Sequence, residues 1–110
     1  MKKLINDPFD VVEEMVEGYV SANDHIIKRV GKRAIARANS PIPGKVGIVG
    51  GGGSGHLPAF AGYVGKGMAD GAAFGNIFAS PPAKPIVEAT LAVNSGAGVM
   101  YTYGNYQGDC

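Results

Sequence analysis

Apolar and acidic side chains alternate with helical spacing near the start of the chain. Pairs of apolar residues recur every four positions, with acidic residues between them: Val11, Val12, Met15, Val16, Tyr19 and Val20 against Asp10, Glu13, Glu14 and Glu17. This period is typical of a helix with one buried face. Asp7 as the N-cap and Pro8 at the first helical position add a start signal. The pattern therefore predicts an amphipathic helix over residues 7–20.

Beyond residue 44, short apolar runs alternate with segments of helical spacing. The apolar runs predict three strands, at residues 45–49, 71–74 and 99–103. Between them, helices are predicted at residues 56–68 and 81–93, with Ser80 as the N-cap of the second helix and Gly96 as its stop. Such alternation implies right-handed crossovers and a mainly parallel sheet. We therefore predict an α/β fold, a three-layer α/β/α sandwich.

A glycine-containing segment follows each of the three predicted strands. These segments are residues 50–56, 75–80 and 104–109. In an open α/β sheet, ligands bind outside the carboxyl ends of the strands. The ligand-binding loops are therefore expected at that edge.

The size and composition of the chain favour one globular domain. Its 110 residues and 11.3 kDa are few for an enzyme that must also enclose a substrate, which favours a longer parent protein or an oligomer. With 45% hydrophobic and 17% charged residues, the composition is neither disordered nor membrane-spanning. No apolar run suits a signal peptide or a membrane span, so a cytoplasmic protein is expected. The only cysteine is Cys110, so neither a disulfide framework nor a thiolate metal site is expected.

Positive charge is concentrated in one stretch, residues 28–37, which holds five basic residues and no acidic one. The formal net charge of the chain is only +1, and the stretch has no interleaved aromatic residues. Nucleic-acid binding is therefore not expected. A solvated face or a subunit contact is the preferred interpretation of this stretch.

The glycine-rich stretch VGIVGGGGSGHLP, residues 46–58, fits some ligand-binding motifs and fails others. Gly50, Gly52 and Gly55 satisfy the dinucleotide pattern G-x-G-x-x-G, but no acidic residue follows at the tip of the next predicted strand. The P-loop and the nucleophile elbow lack required residues. What remains is either a loop whose amides donate to a polar ligand, or a tight structural turn that needs glycine.

His56 and Asp109 are the candidate groups for acid–base chemistry. His56 falls in the first turn of a predicted helix, where the helix dipole disfavours the imidazolium and so favours a neutral base. Asp109 faces His56 across the ligand crevice if the first and third predicted strands are neighbours, and it can then bind a substrate hydroxyl or act as a general base. An aspartate in an ordinary glycine-containing turn is the alternative.

Six stretches in order resemble the amino-terminal part of the substrate-binding subunit of dihydroxyacetone kinases. They are MKKLIND at 1–7, PGKV at 43–46, GGGSGH at 51–56, GKGM at 65–68, IFASP at 77–81 and NYQGD at 105–109. The resemblance covers nearly the whole chain. It implies that residues 1–110 are the front part of a longer ketose-binding subunit.

The resemblance implies a kinase component that binds dihydroxyacetone or a related short-chain ketose. No cofactor is expected on this chain. ATP or ADP with Mg²⁺ is expected on a partner subunit or domain, which a phosphotransferase-system protein recharges in many bacteria. A cytoplasmic homodimer without membrane or nucleic-acid contacts is implied. The implied substrate-binding residues are Gly52, Gly53, Ser54, Gly55, His56, Ser80 and Asp109, of which His56 and Asp109 are also catalytic.

Three departures from the family pattern affect these expectations. The family anchors the ketose covalently on a histidine farther along the subunit, whereas this chain has only His25 and His56, so alone it should lack the covalent step. Gly104 stands where many members have lysine, and Leu57 stands where glutamate is common. The extra space at Gly104 would suit a four-carbon ketose such as erythrulose, or a regulatory paralogue that binds ketose without phosphorylating it. A dinucleotide-binding oxidoreductase is a further alternative.

Overall fold

The computed structural model of the chain describes residues 11–53, 61–75, 81 and 83–103. In chain order, the helices and strands of these ranges are α1 Val11–Ala22, β1 Ile27–Gly31, β2 Ala34–Arg37, β3 Gly47–Gly53, β4 Gly71–Gly75, α2 Ala83–Val93 and β5 Val99–Tyr103. The predicted strands at 71–74 and 99–103 and the predicted helix at 81–93 are confirmed. Neither described helix is long and apolar enough to cross a membrane.

The five described strands form one sheet in the order β1-β2-β4-β3-β5. β3 pairs in parallel with both β4 and β5, whereas β2 pairs antiparallel with β1 and with β4. Four strands therefore run in one direction and only β2 runs in the other. This agrees with the predicted α/β fold and its mainly parallel sheet.

The two helices cover opposite faces of the sheet. On one face, α1 packs against side chains from three strands, and the buried members of this cluster include Val12, Val16, Ile27, Ile35, Ala72 and Phe74. On the other face, α2 contributes Ala89 and Val93, which pack with Ala34, Ala36 and Val49. Because adjacent residues of a strand face opposite sides, Ile35 contacts one helical layer while its neighbours contact the other. The predicted three-layer sandwich is confirmed.

The apolar face predicted for the first helix is the buried face of α1. Val12 and Val16 are buried, and the other four predicted members pack against the same cluster while partly exposed. The predicted cap residues, Asp7 and Pro8, lie outside the described residues. Helical periodicity therefore identified both the element and its orientation.

The basic stretch at 28–37 is solvated in part: Arg29 and Lys32 are exposed, Lys28 and Arg33 are partly exposed, and Arg37 is buried. It folds into the β1–β2 hairpin, and all four residues of β2 are buried. The alanines and isoleucine of β2 pack between the two helical layers, while Arg29 closes the turn by donating to the carbonyls of Gly31 and Lys32 at 3.0 and 2.9 Å. The basic residues lie in β1, in the turn and at the end of β2, while the apolar residues of β2 hold the hairpin between the two helices.

The four consecutive glycines at 50–53 belong to strand β3, and the prediction of a loop that begins at residue 50 is wrong. All four are buried, and each has a register partner on β4, from Gly50 with Ala72 to Gly53 with Gly75. None of them has a positive φ. Because β3 lies between two parallel neighbours, ladder hydrogen bonds outweigh the low strand preference of glycine.

The helix predicted at 56–68 is wrong over its described part. Residues Ala61–Tyr63 form a single 3₁₀ turn, after which Val64 bridges to Ala69. Gly67 has a φ of +79°, and the Met68 N–H donates to the Gly65 carbonyl at 3.0 Å. A positive φ ends a right-handed helix, so the two glycines turn the chain sharply before β4.

A buried carboxylate joins three strands at the sheet edge where β3 and β4 begin. The Asp70 side chain is 3% exposed, and it accepts hydrogen bonds from Lys45 Nζ at 2.5 Å, the Ile48 N–H at 2.8 Å and Arg37 Nη1 at 3.3 Å. Burial alone would raise the pKa of Asp70, but the hydrogen bond and charge of Lys45, with the other two donors, lower the pKa below 3.8. Asp70 is therefore an ionised anchor for the register of β2, β3 and β4.

We expect Gly47→Ala to destabilise the protein by about 1–3 kcal/mol because it overpacks the sheet. A Cβ at Gly47 would lie 2.7 Å from Val93 Cγ2 and 3.0 Å from the Val93 carbonyl oxygen on α2. Gly18→Ala is the matched control, since nothing lies within 4 Å of its Cβ, and alanine there should stabilise α1 by about 0.5–1 kcal/mol. Urea denaturation measures both changes, and equal effects would contradict this account of the β3–α2 contact.

Candidate functional site

The carboxyl ends of β3, β4 and β5 meet at one edge of the sheet, here called the carboxyl edge. Gly53, the last residue of β3, pairs in register with Gly75, the last residue of β4. Tyr103 ends β5 opposite Gly51. The parallel register thus brings three strand ends together, as the sequence predicted.

A pocket of about 190 Å³ lies against this edge, between the sheet and the start of α2. The backbone of Gly50 and Gly51 contributes one side. Ile86 of α2 and the aromatic residues Tyr101 and Tyr103 of β5 contribute the others. The volume is smaller than the roughly 300–1,000 Å³ of pockets that enclose drug-sized ligands, so the pocket suits a small molecule.

Glycine at position 51 keeps one side of this pocket free of side chains. A Cβ there would meet Pro81 Cγ at 3.6 Å and the Ala73 carbonyl oxygen at 3.8 Å, which are ordinary contact distances. Alanine would therefore fit sterically but would narrow the gap between β3 and Pro81. The absence of a side chain, and not a special backbone angle, is what this glycine contributes.

Tyr101 is held in place by a short chain of hydrogen bonds. Thr90 Oγ1 donates to the Ile86 carbonyl at 2.7 Å, so the Tyr101 hydroxyl, 2.7 Å from Thr90 Oγ1, is the donor in their contact. The ring is thereby fixed beside the pocket. Sequence reasoning missed both residues, because a tyrosine in a predicted strand gives no signal of its partner on a helix.

Of the predicted substrate-binding residues, the structure describes Gly52 and Gly53. They are the last two residues of β3, are buried, and pair with Phe74 and Gly75. The other predicted site residues lie outside the described residues; these are Ser54, Gly55, His56, Ser80 and Asp109. Their roles stay predictions.

Asp109 is expected to face His56 if the first and third predicted strands are neighbours, and the strands that precede these two residues meet that condition. The first and third predicted strands, now β3 and β5, are directly paired in parallel over Gly47–Gly51. His56 follows the end of β3 by three residues, and Asp109 follows the end of β5 by six. In the same way, Ser80 directly precedes the pocket residue Pro81.

The structure gives no support to a dinucleotide fingerprint. That motif needs its first glycine in the tight turn between a strand and a helix, whereas Gly50 and Gly52 are extended residues inside β3. Within the described ranges, no group of three or more histidine, cysteine or acidic residues could hold a metal ion.

Known proteins similar to this chain include dihydroxyacetone and erythrulose kinases. The dihydroxyacetone-binding subunit DhaK of PTS-dependent dihydroxyacetone kinase 1 from Listeria innocua is 52% identical over 110 residues, which are 99% of this chain and 33% of that subunit. The D-erythrulose kinase of Mycolicibacterium smegmatis is 50% identical over 109 residues, which are 99% of this chain and 19% of that protein. The chain thus spans a third or less of the length of these relatives.

A solved structure extends the similarity to a regulator. The dihydroxyacetone kinase operon co-activator DhaQ matches with a TM-score of 0.80 and 36% sequence identity, over 88% of this chain and 30% of that one. The model of the Dak1 domain matches residues 17–110 of this chain, a range that includes the carboxyl edge and both helical layers except the first residues of α1. From this match and the kinase relatives, we conclude that the chain belongs to the Dak1 domain family.

Proposed function

We propose that this chain is the ketose-binding component of a dihydroxyacetone kinase, which transfers phosphate to a terminal hydroxyl of a short-chain ketose. The observation that carries the proposal is the parallel pairing of β3 with β5 beside a small pocket. Because of this pairing, the segments that carry His56 and Asp109 follow neighbouring strands. The similarity to kinases of dihydroxyacetone and of erythrulose supports the substrate class.

In the proposed mechanism, the chain binds and orients the ketose. The backbone from Gly52 to Gly55 lies against the small polyol, and Ser80 lines the same site. His56 accepts the proton of the attacking hydroxyl, while Asp109 holds that hydroxyl by a hydrogen bond. Phosphoryl transfer depends mostly on positioning and charge stabilisation, so these contacts are the contribution of this chain.

The phosphate donor belongs to a partner in this proposal. A nucleotide-binding kinase subunit or domain carries ATP or ADP with Mg²⁺ and meets the ketose at the carboxyl edge. The PTS-dependent relative supports a donor that a phosphotransferase-system protein recharges. We also propose that the longer protein is a cytoplasmic homodimer.

A regulatory, non-catalytic ketose-binding protein is the second candidate. The similarity to an operon co-activator favours it, because that protein has a similar fold and its name describes a regulator. Gly104 is compatible with both candidates, because it removes a cation from the predicted site and leaves space for a larger ketose.

The test uses a chimera that joins this chain to the remaining two thirds of the Listeria innocua subunit. The chimera is mixed with the partner subunits of that relative and its phosphate donor, and phosphate incorporation into dihydroxyacetone and erythrulose is measured. We expect a phosphorylated ketose, with reductive trapping and mass spectrometry detecting the covalent ketose adduct.

Two other outcomes separate the candidates. Ketose binding without product, when the unaltered Listeria subunit is active in the same assay, would favour the regulatory protein. A chimera that is folded by circular dichroism but binds neither ketose would overturn the kinase proposal and the regulatory one together.

A further inference from the structure

The face of β3 that points towards α2 has no side chains over its last two positions. Val49 fills its own position on this face by packing with α2 residues. Gly51 lies on the same face, because alternate residues of a strand point to the same side, and an added Cβ there would lie 3.6 Å from Pro81 Cγ. Gly53, a predicted ketose contact, is the next residue on this face, about 6.6 Å farther along the strand. A strip without side chains therefore leads from the carboxyl edge towards Val49.

Two tyrosines of β5 flank this strip. In the parallel register, Tyr101 pairs with Val49 and Tyr103 pairs with Gly51. Tyr101 contacts Thr90 of α2, so both tyrosines lie on the α2 side of the sheet. Both also line the pocket of about 190 Å³. Tyr101 therefore closes the pocket at the level of Val49, while Tyr103 stands beside the gap at Gly51.

The Tyr101 side chain is fixed at both ends. Its backbone belongs to the β3–β5 ladder, and its hydroxyl donates to Thr90 Oγ1 at 2.7 Å. Thr90 in turn spends its own proton on the Ile86 carbonyl, so the Tyr101 oxygen can still accept a proton from a ligand hydroxyl. A fixed wall cannot move to admit a longer ligand, and overpacking it is costly. The depth of the pocket is therefore set by Tyr101.

We infer that this pocket receives the distal carbons of a ketose longer than dihydroxyacetone, and that Gly51 and Tyr101 set the longest ketose that fits. The inference rests on the proposed ketose site and adds the residues that select the substrate. In that site the reacting hydroxyl is held by His56 and Asp109, which follow the strand ends. The opposite end of a ketose lying against Gly53 then points along the strip towards Gly51.

The pocket admits a fourth carbon and excludes a fifth. The fourth carbon enters the gap that glycine leaves between β3 and Pro81. Its hydroxyl donates to the Tyr101 oxygen, which is the polar partner needed in a pocket of mainly apolar side chains. A fifth carbon would meet the Tyr101 ring. Erythrulose is therefore the ketose of preferred length.

Affinity ratios of the Listeria chimera for ketoses of different length test this inference. Isothermal titration calorimetry gives the dissociation constants for dihydroxyacetone, for erythrulose and for the five-carbon ketose xylulose, without partner subunits or phosphate donor. Gly51→Ala adds one methyl group to the gap, and such a change alters discrimination in a pocket by about 10-fold or more. We therefore expect the preference for erythrulose over dihydroxyacetone to fall by about 10-fold.

Tyr101→Leu is the reciprocal change, because the shorter side chain deepens the pocket. The affinity for xylulose relative to dihydroxyacetone should rise by about 10-fold. Tyr63→Leu is the matched control: Tyr63 is 51% exposed, against 45% for Tyr101, and its carbonyl accepts the Ala69 N–H just before β4 begins, at the opposite edge of the sheet. Gly18→Ala is the control for the added methyl group. Neither control should change the ratios.

The possible failures are distinguishable. If the unmutated chimera bound the ketoses but Gly51→Ala and Tyr101→Leu left their ratios unchanged, this inference alone would fail, which is also the result expected if another part of the longer polypeptide filled the pocket. Binding of no ketose by a folded chimera would overturn the proposed function and this inference with it. Should Tyr101→Leu not fold, Tyr101→Phe keeps the ring and removes the acceptor, and the preference for erythrulose should fall by about 3- to 10-fold.

Discussion

Replacing His56 with alanine in the complete kinase is expected to lower kcat by about 10²- to 10⁴-fold, the usual contribution of a general base. Under the proposed mechanism, the imidazole removes the proton as the ketose hydroxyl attacks phosphorus. Alanine leaves the backbone of the preceding glycines in place, so ketose binding should weaken much less than turnover does. Steady-state kinetics with dihydroxyacetone and with erythrulose, using the chimera and its partner subunits, measure both quantities.

His25→Ala is the matched control for this prediction. His25 is exposed in the turn after α1 and is the only other histidine of the chain, so its loss should change turnover by less than about twofold. If His56→Ala kept turnover within a few-fold of the unmutated protein, the catalytic role assigned to this imidazole would be wrong. Equal losses for both variants would point to misfolding.

Asp70→Ala is expected to destabilise the chain by about 3–5 kcal/mol, the typical result of removing one partner from a buried ion pair. The substitution leaves the guanidinium of Arg37, which is 9% exposed, without its counter-charge. It also removes the acceptor of the Ile48 N–H. Urea denaturation of the 110-residue chain gives the change in the free energy of unfolding.

A partly exposed ion pair provides the comparison for Asp70. Glu13 and Arg33 lie 3.7 Å apart with side chains 32% and 21% exposed, so Glu13→Ala should cost less than about 1 kcal/mol. The pH dependence gives an independent check. Since folding lowers the pKa of Asp70, its contribution is complete above the unfolded value of 3.8 and is lost as the pH falls through the lower folded-state pKa. A difference between unmutated protein and Asp70→Ala that grew on acidification would contradict the ion-pair account.

Much of the architecture could be predicted because it depends on local periodicity. The apolar pairs of α1 repeat along a single segment, and the bounds of α2 follow local signals, so the sequence alone identifies both helices. The carboxyl edge was also predictable, because strands that alternate with helices pair in parallel. The pairing of β3 with β5 was only a condition at that stage, and the structure meets it.

The elements that could not be predicted depend on partners far away in sequence. Four consecutive glycines have a low strand preference by themselves; β5 pairs with β3 as far as Gly51, and pairing with β4 extends β3 to Gly53. The β2 strand was hidden among basic residues, because its burial depends on pairing with β4 and on contact with α2. The hydrogen bonds of Asp70 could not be predicted, because its partners Arg37 and Lys45 are distant in sequence.

The central position of β4 in the sheet has a consequence for synthesis on the ribosome. Residues of β2 and β3 leave the ribosome well before Gly71–Gly75, yet each of these strands pairs with β4. Until residue 75 has been translated and released, β3 therefore lacks both of its partner strands and β2 is paired only with β1. A truncated product that stops before this point would expose the outer edge of β2 and both edges of β3 to other chains, which makes premature termination there a specific risk for aggregation.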